Sequence, residues 1–110
     1  MIFILDEASV LYVASSEAEL QGAFEGIDVE EGIYRFFDES GSPLVAKFIV
    51  QNQRSTILGP IELVRSGTYR LVASPDVSAP RLAEILNKAI AIQPNPYFSD
   101  IDAVRRSLTR

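Results

Sequence analysis

The chain has no cysteine and no histidine. Without cysteine there can be no disulfide, no thiolate metal ligand and no thiol nucleophile. Without histidine the chain loses the side chain that changes charge near neutral pH and the commonest transition-metal ligand. Together these absences exclude ordinary zinc sites, Ser-His-Asp triads and Cys-His pairs. Long apolar runs are also missing, and no stretch approaches the roughly 18 residues of a membrane span. The opening Met1-Ile2-Phe3-Ile4-Leu5 has no basic residue before it, and Asp6 and Glu7 interrupt it at once. It therefore fails as a secretory signal, and a cytoplasmic location is expected. The six glycines are scattered and form no phosphate-binding loop.

At 110 residues there is room for one domain spanning 1–110 and one core. Apolar residues make up 47% of the chain, enough to drive folding without staples. Ile2–Leu5 and Val10–Ala14 are short β-rich runs joined by Asp6-Glu7-Ala8-Ser9, the pattern of a hairpin. Ser16 with Glu19 forms a capping box, and Leu20, Phe24 and Ile27 predict the apolar face of a helix ended by Gly26. Gly22 weakens that helix, so packing must hold it.

Strands are then predicted over 32–37 and 44–50, on either side of the turn at 38–42. Residues 51–56 read as a loop. Ile61–Val64 and Tyr69–Ala73 read as a hairpin around 65–68, with Pro60 at a strand start. Pro80 opens a helix whose stripe is Leu82, Ile85, Leu86, Ala89 and Ile90, with Glu84 and Lys88 as an exposed pair. Beyond Pro94-Asn95-Pro96, Ser99 reads as the N-cap of a last helix carrying Ile101, Val104 and Leu108, with Arg105, Arg106 and Arg110 at its C-terminal end. The order β-β-α-β-β-β-β-α-α predicts an α+β fold. Its sheet would be largely antiparallel, of five to six strands, with the helices mainly on one face.

Little of this resembles catalytic machinery. A calcium loop would want an acidic residue five positions before Gly41, and Phe36 stands there. Carboxylates are plentiful but sit in no catalytic frame, and a carboxylate-dependent enzyme would need a cleft that a domain this small rarely has. No enzyme activity, metal or cofactor is expected. The net charge of −5 opposes nucleic-acid binding.

Charge is instead distributed with strong asymmetry. Residues 1–40 hold ten acids and one base, Arg35, a net of −9, while 41–110 hold nine bases and five acids, a net of +4. Glu17, Gln21 and Glu25 recur at four-residue spacing opposite Leu20 and Phe24, and Asp28, Glu30 and Glu31 follow directly. Asp38 and Glu39 lie in the next turn. One reading is a solvated face offset by Arg65, Arg70 or the C-terminal arginines; the other is a surface for a basic partner. Tyr34, Phe36 and Phe37 cannot share one face of a strand, so some are core and the rest a second layer or an interface anchor. Tyr97 and Phe98 either plug the core or meet a partner, with the core as the expected place.

The segment Gly26-Ile27-Asp28-Val29-Glu30-Glu31-Gly32-Ile33-Tyr34-Arg35-Phe36-Phe37-Asp38, followed by Gly41-Ser42-Pro43-Leu44, resembles the small acidic immunity proteins of bacterial polymorphic toxin systems. The resemblance covers about the first fifty residues. It implies a cytoplasmic protein that binds one cognate toxin with a basic surface and occludes its active site or substrate surface. No contact with membranes or nucleic acid is expected, and a monomer is expected rather than a dimer. The expected contacts are Glu17, Gln21, Glu25, Asp28, Glu30 and Glu31, then Asp38 and Glu39. An alternative is a small acidic secretion chaperone or adaptor, expected to dimerise and to bind an extended segment in apolar grooves.

Overall fold

A computed structural model of the chain describes residues 1–56 and 62–109. Pro60, Ile61 and Arg110 lie outside the described residues, as do the side chains of Ile27 and Arg65. The elements are β1 (Ile2–Asp6), β2 (Val10–Ala14), α1 (Glu17–Ala23), α2 (Gly26–Glu30), β3 (Tyr34–Phe37), β4 (Pro43–Val50), β5 (Gln53–Thr56), β6 (Glu62–Arg65) and β7 (Thr68–Ala73). They are followed by α3 (Leu82–Ile85), a single 3-10 turn (Leu86–Lys88), β8 (Ala91–Ile92) and α4 (Ile101–Leu108). A six-stranded sheet runs β7-β4-β3-β1-β2-β8, and β5 pairs with β6 separately. Among the described residues every pairing is antiparallel except β2 with β8. The α+β class with a largely antiparallel sheet therefore holds.

The helices do not gather mainly on one face, as the sequence pattern predicts, but divide between two. Ile2 and Ile4 of β1 point to one side, with Leu20, Phe24, Phe36 and Tyr69. Phe3 and Leu5 point to the other, with Leu11, Phe37, Leu82 and Val104. The cause is visible in β1, whose uninterrupted Ile-Phe-Ile-Leu run alternates between the faces and makes both apolar. A strand of that kind must be covered twice. α1 and α2 cover the first face; α3, the 3-10 turn and α4 cover the second over β1 and β2.

Other departures have equally local causes. The predicted helix from Ser16 breaks at Phe24, which turns extended at φ −122°, ψ 104°. Gly22 gives the helix little intrinsic strength there, and Phe24 is drawn into edge-on contact with Tyr12 and Tyr34. The helix predicted through Ile90 stops at Lys88, because β2 has a free edge to fill. Ile90 N–H donates to the Ser9 carbonyl at 2.9 Å, and Gln93 N–H to that of Leu11 at 2.8 Å. Asp100, not Ser99, caps α4 by accepting from Ala103 N–H at 2.8 Å.

The hairpin predicted between 61–64 and 69–73 does not form. β7 pairs with β4, and β6 pairs with β5, whose residues the sequence places in a loop. The result is one long ribbon, β4–β5 against β6–β7, interrupted where Asn52 stands. Asn52 donates to the Gly26 carbonyl at 2.9 Å and accepts from Gly67 N–H at 2.7 Å. A side chain at Gly67 would collide with the Val50 carbonyl, so only glycine fits this crossing.

Candidate functional site

Register brings the acidic segments together at one end of the sheet. Asp6, the last residue of β1, lies opposite Tyr34, the first of β3. The β1–β2 turn carrying Glu7 and the α2–β3 connection carrying Glu31 therefore emerge side by side. Asp6 holds its own turn, accepting from the Ala8 and Val10 N–H groups at 2.9 Å each, and from the Tyr12 hydroxyl at 3.2 Å. Glu7, Glu25, Glu30 and Glu31 are exposed, and Asp28 is half-buried. Glu30 is steadied by a hydrogen bond from the Asn52 amide. Burial pushes the Tyr34 hydroxyl pKa up, and the negative charges of Asp28, Asp6 and Glu7, with the neighbouring Tyr12, push it further.

The remaining residues expected as contacts are placed elsewhere. Glu17 and Gln21 do not form an outward stripe with Glu25; they face β7, an edge strand of the sheet. Glu17 accepts from Leu71 N–H at 3.2 Å and lies 3.8 Å from Arg70 Nε. Gln21 donates to the Tyr69 carbonyl. These side chains occupy backbone groups that an edge strand would otherwise leave open. Asp38 and Glu39 lie at the opposite end of β3. Asp38 accepts from Ser40 N–H and Ser42 N–H at 2.9 Å each and from Ser40 Oγ at 2.8 Å. Burial alone would raise its pKa, but those hydrogen bonds and the charge of Arg81 outweigh it and hold the carboxyl low.

Beside the acidic end lies a pocket of about 450 Å³, lined by Tyr12, Phe24, Tyr34, Glu19, Ala23 and residues 93–96, among others. The Phe24 ring meets Tyr12 at 5.4 Å and Tyr34 at 4.8 Å between centroids, each at 83°. Glu19 belongs to the capping box: Ser16 Oγ accepts from its N–H at 3.2 Å, while its carboxylate reaches back to Ser15 N–H at 2.9 Å and to the Ser15 hydroxyl. Those bonds from Ser15 hold its pKa low. Asn95 fixes the far wall by accepting from Tyr97 and Phe98 N–H at 2.9 and 2.8 Å. Phe98 packs on Phe3, whereas Tyr97 is 42% exposed. The sequence reading missed this pocket, since Tyr12 and Tyr34 stand 22 positions apart in the chain. The signal that could have found it is parity: both point to the same face as Ile4.

Across the sheet, the second face is open over β4 and β7. The cross-strand pairs Val45–Val72, Lys47–Arg70 and Val50–Thr68 project there. Among the described residues no group of three or more acids could hold a metal ion, and no helix is long and apolar enough to cross a membrane. No family model, curated protein or solved structure matches the chain.

Proposed function

We propose that the chain is a cytoplasmic immunity-type protein, which neutralises a cognate bacterial toxin by laying the acidic end of its sheet over a basic active-site or substrate surface. The observation that carries this reading is the register that sets the β1–β2 turn, with Glu7, beside the connection after α2, with Glu31, at one end of the sheet; Asp28 and Glu30 lie on α2 and Glu25 just before it. A fold gains nothing in stability from crowding like charges, whereas complementary potentials raise association rates by orders of magnitude. The resemblance of residues 26–44 to acidic immunity proteins supports the same reading.

The test is co-expression with the product of the neighbouring reading frame, followed by kinetics of the purified pair. The chain is expected to relieve that product's toxicity. Reversing Glu25, Asp28, Glu30 and Glu31 to lysine should slow association by about 10-fold or more at low salt and flatten its salt dependence. Unchanged association of the reversed variant overturns the acidic-surface reading. A second reading, the secretion chaperone or adaptor, draws on the open face, where Val45, Val50 and Val72 are 39%, 52% and 41% exposed. It requires a dimer on gel filtration; a monomer removes it.

A further inference from the structure

The pocket between α1, the central strands and the Pro94–Pro96 segment combines two features that recognise positive charge. Its inner surface is aromatic, built from Tyr12 of β2, Tyr34 of β3 and Phe24 at the junction of α1 and α2. Rings set edge-on to one another, as Phe24 is to both tyrosines, present π faces in more than one direction. Glu19 is the acid in its lining. Outside the lining, Asp6 accepts from the Tyr12 hydroxyl at 3.2 Å, and Asp28, Asp6 and Glu7 act on the Tyr34 hydroxyl. Among the described residues, no lysine or arginine lines the pocket.

Aromatic faces attract cations through the ring quadrupole, most strongly where water is partly excluded, and nearby carboxylates add to that attraction. The walls are already in place: Glu19 is held by Ser15, and Asn95 braces the proline segment. A preformed site avoids the entropy cost of ordering loose side chains on binding.

We infer that this pocket binds a long-stemmed organic cation, a guanidinium or alkylammonium group whose hydrocarbon stem lies against Tyr12, Phe24 and Tyr34 and whose charge faces Glu19. Resting on the function proposed above, the cation is an arginine or lysine side chain of the basic partner, seated as an anchor beside the acidic end. Buried anchors of that kind carry a large share of binding energy at protein interfaces.

The experiment follows the aromatic side-chain NMR signals of the full chain during titration with Nα-acetylarginine N-methylamide. The neutral isostere Nα-acetylcitrulline N-methylamide is the control. The arginine probe should shift the Tyr12, Phe24 and Tyr34 signals saturably, more weakly as salt rises, and the citrulline probe should leave them in place. Tyr34→Leu or Tyr12→Leu should weaken the arginine probe about five-fold. Equal responses to the two probes, or rings that ignore arginine, overturn the inference.

Agmatine and the peptide Gly-Arg-Gly separate the sources. Tighter binding of the peptide supports a polypeptide side chain, and tighter binding of agmatine overturns that source in favour of a free small cation. These probes need no partner protein. Their failure removes the pocket and leaves the acidic end standing, whereas failure of the lysine reversals removes the acidic end and leaves the pocket.

Discussion

Tyr69 joins the sheet to the helical layer through one buried group. Its ring is 1% exposed between Phe36 and Phe48, and its hydroxyl donates to the Phe24 carbonyl at 2.8 Å, where α1 has just ended. Replacing it with phenylalanine keeps the packing but leaves that carbonyl without its partner, at a cost of about 1–3 kcal/mol measurable by urea unfolding. Burial first, then the nearby Tyr34 and Glu17, raises the Tyr69 pKa from 10.0 to about 12. The folded state thus keeps a proton that the unfolded state releases. The stability this provides is complete below 10.0 and disappears as pH rises through about 12. In the Tyr69→Phe variant that alkaline loss should become shallower, read as unfolding midpoint against pH. Nothing in the local sequence marks Tyr69 out, because its partner lies 45 positions away.

At the scale of elements, α1 acts as a clasp on the sheet edge. Its capping box was legible in the spacing of Ser16 and Glu19, a contact within one helical turn. Its docking on β7 was not, since Glu17 and Gln21 look like solvent-facing positions until β7 is laid beside them. The double variant Glu17→Ala, Gln21→Leu should open that edge. Hydrogen exchange at the Leu71 amide, which donates to Glu17, is expected to speed up, while amides of the central strand β1 keep their protection. An unchanged Leu71 rate would show that α1 packs there without closing the edge. The ribbon β4–β5 against β6–β7 teaches the same lesson. Turn residues at 65–68 resemble a hairpin loop, yet the strands on either side pair with other partners.

For the molecule as a whole, charge is the dominant asymmetry. Of the ten acids in residues 1–40, Asp6, Glu17, Glu19 and Asp38 are engaged within the fold and Glu39 lies at the far end, while Glu7 and Glu31 emerge side by side at one end of the sheet, with Asp28 and Glu30 on the α2 that precedes Glu31. Self-repulsion of that group should lower stability at low ionic strength. The melting temperature should therefore rise as sodium chloride is added. In Glu25→Gln, Glu30→Gln, Glu31→Gln it should start higher and respond less to salt. A variant with the wild-type salt response would mean that the carboxylates do not share one field.

The sequence alone determined what depends on near neighbours: the α+β class, the β1–β2 hairpin, the capping box, the turn held by Asp38, and the exclusion of thiol and imidazole chemistry. Each rests on residue types or on contacts a few positions apart, where the chain has few alternatives. Only the tertiary structure decided which acids assemble and which are consumed internally, that both faces of β1 need covering, and that Tyr12, Phe24 and Tyr34 surround one pocket. Those outcomes depend on strand register and on competition for unfilled backbone edges, which are free energies of the whole fold and leave no periodic trace in a single segment.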